Sequence, residues 1–143
     1  MPFRFGRASL PVYVATPIVA LIRNLEDREL LADIAGTEHL EIHFAETCGE
    51  AWNIANRLQA PVVLCERDLP GMAWQDMVRI LAAAAPHPCV ILTSQVVDDY
   101  VWREIVTRGG YDVLARPLRG DDAVRAIRLA VTYWKSAVRK SAH

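Results

Sequence analysis

The sequence predicts an α/β fold, a doubly wound parallel sheet of five strands alternating with five helices. Three observations predict it. Short apolar runs, clearest at Val62 to Cys65 and Cys89 to Leu92, are uninterrupted and rich in β-branched residues, the pattern of strands buried on both faces. Between them lie segments whose apolar residues recur at intervals of three or four, the period of a helix with one buried face. The two kinds of segment alternate along the chain, and right-handed crossovers turn that alternation into a parallel sheet with helices on both sides. At 143 residues and 52% hydrophobic, the chain is long enough for one domain with a substantial core and too short for two ordinary ones. Residues 1–9 read as a flexible lead-in and 10–140 as the domain.

Leu10 to Ala15 reads as the first strand and Thr16-Pro17 as a helix start, with Thr as the cap and Pro at the first helical position. Ile18, Leu21, Ile22, Leu25, Leu30, Leu31 and Ile34 continue at broadly helical spacing to Gly36, a suitable terminator. Leu40, Ile42 and Phe44 alternate with Glu41 and His43, which places the second strand at a sheet edge with one face exposed. Thr47, with Glu50 three residues on, forms a capping box ahead of a helix through Trp52, Ala55 and Leu58. Val62 to Cys65 is the third strand. Beyond Pro70-Gly71 a helix turns Trp74, Met77, Val78 and Leu81 inward until Pro86-His87-Pro88 breaks it. Cys89 to Leu92 is the fourth strand and ends in Thr93-Ser94. Asp98 and Asp99 suit the start of a fourth helix through Val101, Ile105 and Val106, closed by Gly109-Gly110. Val113 to Ala115 is the fifth strand, followed by Arg116-Pro117. From near Asp121-Asp122 the last helix carries Val124, Ile127, Val131, Trp134 and Val138 as one apolar stripe.

Charge excludes several function classes. Sixteen basic and seventeen acidic residues give a net charge of -1, with no field favouring nucleic acid or an anionic membrane. Arg125, Arg128, Lys135, Arg139 and Lys140 read as a solvated helix face. The three cysteines, Cys48, Cys65 and Cys89, have no framework spacing and fit a reducing cytoplasm. The histidines are scattered, which argues against zinc. Arg4 and Arg7 precede an uncharged run from Ala8 to Ile22 that superficially resembles a signal peptide, but Pro11, Pro17 and the lack of a small-residue cleavage pattern point to strand and helix.

The chain is organised around Pro61 to Met72, where an apolar strand meets the charged loop Glu66-Arg67-Asp68 and then a Pro-Gly turn. A carboxylate at a strand's carboxyl end stands where open α/β sheets place their chemistry. With Leu69-Pro70-Gly71-Met72, Leu92-Thr93-Ser94, Gly109-Gly110 and Arg116-Pro117 in this order and spacing, residues 10 to 138 resemble the receiver domain of bacterial two-component response regulators. The resemblance implies a flavodoxin-like sheet in strand order 2-1-3-4-5, and a pocket where an aspartate accepts a phosphoryl group. There an acidic pair holds a divalent metal, and a hydroxyl and a lysine bind the phosphoryl oxygens.

Residue by residue the match is partial. The phosphoacceptor position, four before Pro70, holds Glu66; the hydroxyl position keeps Thr93, next to Ser94; the lysine position carries Arg116. With the first strand ending at Ala15, the acidic-pair positions fall on Ala15 and Thr16, and no carboxylate is available. Glu66 and Asp68 alone do not supply the oxygen set that Mg2+ requires, so metal binding is expected to be weak or absent. The switch aromatic of the family would align with Val113. Either Glu66 pairs with Arg116 across the pocket and mimics an occupied site, or it is simply solvated at the strand end.

The resulting expectation is an atypical, non-enzymatic receiver, cytoplasmic and without cofactor. It would signal by phosphorylation-independent binding to a protein, a histidine kinase or an output protein. The face of the fourth helix, fifth strand and fifth helix would serve the partner or a homodimer, with Trp102, Tyr111 and Tyr133 as candidate contacts. The alternative is a receiver that accepts a phosphoryl group on Glu66 or Asp68 from a histidine kinase. A nucleotide-binding domain is a third reading, disfavoured because no Gly-rich loop follows the first strand.

Overall fold

The computed structural model describes residues 14–141. In chain order the elements are β1 Thr16–Leu21, α1 Leu25–Glu38, β2 Leu40–Phe44, α2 Cys48–Leu58, β3 Val62–Glu66, α3 Trp74–Ala82, β4 Cys89–Ser94, α4 Asp99–Thr107, β5 Asp112–Ala115 and α5 Gly120–Ser141. All neighbouring strands pair in parallel, in the order β2-β1-β3-β4-β5. The expected fold class and strand order are therefore those of the structure, with the alternating Leu40–Phe44 strand at an edge.

Each strand sends alternate residues to opposite faces. Val19, Leu21, Val63, Cys65, Val90, Leu92 and Val113 pack with α2, α3 and α4. Ile18, Ala20, Ile22, Val62, Leu64, Cys89, Ile91 and Leu114 pack with Leu31 and Ile34 of α1 and with Ala123, Ala126, Ile127 and Ala130 of α5. The three central strands are buried at every position or nearly so, which is why their sequences read as continuous apolar runs.

The first βα unit differs from its sequence reading. Thr16-Pro17 opens β1 instead of α1, so Val14 and Ala15 precede the strand and Leu10 to Tyr13 of the expected strand lie outside the described residues, as does the lead-in at 1–9. The cause is burial. Ile18 to Ile22 are buried on both faces at the sheet centre, and a run apolar at every position satisfies helical spacing as well as strand spacing. Pro17 is tolerated because β3 pairing begins only at Ile18, so the missing N–H falls at the strand's open end. Asn24 is the true cap of α1, its Oδ1 accepting from the Asp27 N–H at 3.0 Å. At the other end the helix passes through Gly36 and stops at His39, in the left-handed region at φ 57°. The Thr47 cap forms as expected, accepting from the Glu50 N–H at 3.1 Å, while Glu50 reaches back to the Glu46 N–H at 2.7 Å.

Candidate functional site

One residue past the last apolar position, the alternation of β3, β4 and β5 turns Glu66, Thr93 and Arg116 toward the α1/α5 side of the sheet's carboxyl edge. Glu66 and Thr93 are register partners, and the backbone bonds Arg67 N–H to Thr93 O and Arg116 N–H to Ser94 O, each 3.0 Å, carry the ladder into the pocket. The fold thus brings Glu66, Thr93, Ser94 and Arg116 together at one edge.

Their partners differ from those expected. Glu66 is only 8% exposed, and its Oε1 accepts from the backbone N–H groups of Arg23 at 3.0 Å and Asn24 at 3.1 Å. Those groups belong to the connection from β1 to α1, where the positive end of the helix dipole favours a carboxylate. Glu66 is therefore neither solvated nor paired with Arg116. The Arg116 guanidinium meets Asp27 instead, Nε to Oδ2 at 3.1 Å, and the other carboxylate oxygen accepts from the Leu118 N–H at 3.4 Å. Both side chains are largely buried, 13% and 4% exposed. The Glu66–Arg116 pair does not form because a carboxylate in the first turn of α1, Asp27, takes the arginine instead.

Ala15 and Thr16 are not the positions of an acidic pair. They lie at the amino end of β1, where the Thr16 N–H donates to His39 O at 3.0 Å, on the opposite edge of the sheet. The residues that follow β1 are Ile22, Arg23 and Asn24, again without a carboxylate. Among the described residues no group of three His, Cys, Asp or Glu side chains converges to hold a metal ion. The donor set does not fit the divalent cation of a receiver pocket: the one buried carboxylate of β3 is occupied by two N–H groups, and Asp27 by Arg116.

Around this centre, Arg67 crosses to β4, its Nη1 donating to Ser94 Oγ at 3.3 Å and its guanidinium standing 5.6 Å from the Trp74 ring centroid. Asp68 is mostly exposed, its nearest oxygen 3.9 Å from Arg67. Thr93 Oγ1, by contrast, is buried with no hydrogen-bond partner among the described residues. Arg67 stands in the charged loop that the sequence marks, whereas Asp27 and the two loop amides carry no such mark in it. Asp27 was legible as the third residue after an Asn cap, a signal hidden by placing the helix start at Thr16-Pro17.

No family model and no curated protein matches the sequence. Solved structures do match. The signal receiver domain of an HD domain-containing protein from Pseudomonas fluorescens superposes with a TM-score of 0.78 at 18% identity, over 91% of this chain and 96% of that one. NtrX from Brucella abortus gives 0.77 at 20% identity over 90% of this chain and 29% of its own, and a CheY-like receiver domain protein from Methanospirillum hungatei gives 0.75 at 15% identity over 86% and 98%. The fold is that of a response-regulator receiver domain. The receiver fold also places the described aromatic candidates: Trp102 on α4 is 39% exposed, Tyr133 on α5 is 59% exposed, and Tyr111, just before β5, stacks on Tyr133 with ring centroids 5.5 Å apart. No helix among the described residues is long and apolar enough to cross a membrane.

Proposed function

We propose that this chain is a receiver-type signalling module that works by phosphorylation-independent protein–protein interaction. One observation carries the reading: Glu66 and Arg116, at the phosphoacceptor and lysine positions, are both engaged inside the chain, by the Arg23 and Asn24 N–H groups and by Asp27. None of Ile22, Arg23 and Asn24, directly after β1, carries a carboxylate to bring in Mg2+, and Asp27 is paired with Arg116, so its binding is weak or absent on this reading. Catalysis is not required of such a module, which acts in the cytoplasm on a histidine kinase or an output protein. The partner or a second copy meets the face of α4, β5 and α5, where Trp102, Tyr111 and Tyr133 supply aromatic contacts.

The orphan hydroxyl of Thr93 favours a second reading, in which an incoming phosphoryl oxygen completes its hydrogen bonding and Glu66 or Asp68 is the acceptor. Incubation with acetyl phosphate and Mg2+, read by intact mass, separates the two. The expected outcome is no added phosphoryl group. One added group that disappears in Glu66→Ala or Asp68→Ala establishes phosphotransfer and overturns the proposal. The Glu66→Ala variant is also expected to lose about 2 kcal/mol in urea unfolding, because two partly buried N–H donors lose their acceptor. For the interface, Trp102→Ala is expected to weaken partner capture or self-association without changing the unfolding midpoint.

A further inference from the structure

At the edge of the sheet opposite Glu66, a groove of about 780 Å3 opens between the last turns of α3 and α4, the starts of β4 and β5, and the final turns of α5. That volume is typical of small-molecule sites. Its lining is largely small and apolar, with aromatic rings and cations set into it. Tyr111 and Tyr133 form a tilted ring pair, Trp134 lies in the same wall, and Arg79, Arg108 and His87 supply the polar groups. Among the described residues no acidic one lines the groove, in a chain whose net charge is -1. The Trp134 indole N–H is buried with no hydrogen-bond partner among the described residues, in a wall that also includes the apolar Ala137 and Val138. Arg79 is held by Asp76 at 2.9 Å within α3, and Arg108, the residue that follows α4, by Glu104 at 3.3 Å. Such pairs bind weakly at a surface, and a guanidinium with five donors retains others for a ligand.

We infer that this groove binds a small planar anion, an aromatic ring bearing a carboxylate or a phosphate. The ring lies against Tyr133 and Trp134, where base and aromatic stacking is effective. The anionic group faces Arg79 and Arg108, whose planar forks suit either oxyanion. The site is separate from the Glu66 pocket, so it stands whether or not that pocket accepts phosphate.

Calorimetric titration of the full chain with ADP and with 1-naphthoate tests the site and separates its two sources of charge. One probe is expected to bind with one-to-one stoichiometry, ADP marking a phosphate site and naphthoate a carboxylate site. An Arg79→Gln/Arg108→Gln double variant is expected to weaken that binding by about tenfold or more. Tyr133→Ala, which removes an exposed ring of the groove, is expected to weaken it about threefold or more. Arg125→Ala, which removes a guanidinium of α5 outside the groove, leaves affinity unchanged and controls for bulk charge. Failure of both probes to bind at millimolar concentration overturns the inference, as does binding that both groove variants retain in full.

Discussion

At Glu66 the side chain's length decides its partners. Its carboxylate sits over the β1–α1 connection and accepts from two successive amides, so part of the charge that a receiver pocket would present is spent within the fold. Asp27 and Arg116 divide the remaining charge between α1 and the segment after β5. Because both are largely buried, Arg116→Ala strands a carboxylate and is expected to cost about 3 kcal/mol, while Arg116→Lys, which keeps the charge but loses the planar fork, costs about half of that. Urea unfolding measures both, and an Asp27→Ala/Arg116→Ala double variant should lose less than the sum of the single losses. Asp112 behaves differently. Burial is the main cause that raises its carboxyl above the usual range, opposed by the bond from the Val113 N–H to its own Oδ1. In the window between the ordinary aspartate value and the raised native one, the folded state holds more protons than the unfolded state, so stability falls as pH rises. Unfolding midpoints measured across the acidic range should show that decline, and Asp112→Asn should remove it.

Among the elements, legibility followed chemistry that is local. The capped starts at Thr47 and Asp98, the edge alternation of β2 and the inward stripe Trp74, Met77, Val78 and Leu81 all stand as the sequence implied, because each depends on neighbours within a few residues. The first βα unit did not. Whether Ile18 to Ile22 is strand or helix depends on β2 and β3 lying on either side, which is information carried far along the chain. That displacement also hid Asp27, and with it the real partner of Arg116. Helix ends were the other blind spot, since α1 and α2 stop on the non-glycine left-handed residues His39 and Gln59. At Gln59, φ 51° costs a side-chain-bearing residue energy that glycine avoids, so Gln59→Gly is expected to raise stability by up to about 1 kcal/mol, read as a higher thermal midpoint.

For the whole molecule, the sheet divides the core into two layers, and the cysteines report on them separately. Cys65 faces the layer of α2, α3 and α4, and Cys89 the layer of α1 and α5, where its thiol lies 3.6 Å from Ala130 O. Burial pushes the Cys89 thiol up to about 11 and raises Cys65 further, so neither offers a thiolate near neutral pH. Cys48, at the start of α2, is raised too but is only partly buried. Disulfide-exchange reagent at mildly alkaline pH should therefore label Cys48 first, with Cys65 and Cys89 slower by more than about a thousandfold if they react only through opening. Four of the strands, β1, β3, β4 and β5, belong to both layers at once, since each contributes alternate residues to either face, while β2 serves only the layer of α1 and α5. Removing one helical layer exposes the strands that hold the other, which predicts a single cooperative unit. Under that prediction, Cys65 and Cys89 share one protection free energy and one denaturant dependence, matching global unfolding. Cys89 also lines the groove at the start of β4, so a Cys89 rate that runs ahead without denaturant dependence marks access there. One that runs ahead with a shallower dependence would mean that α1 and α5 detach alone. The long α5, whose outer residues Leu129 and Tyr133 are exposed, would then be a mobile arm for a partner instead of a fixed wall of the domain.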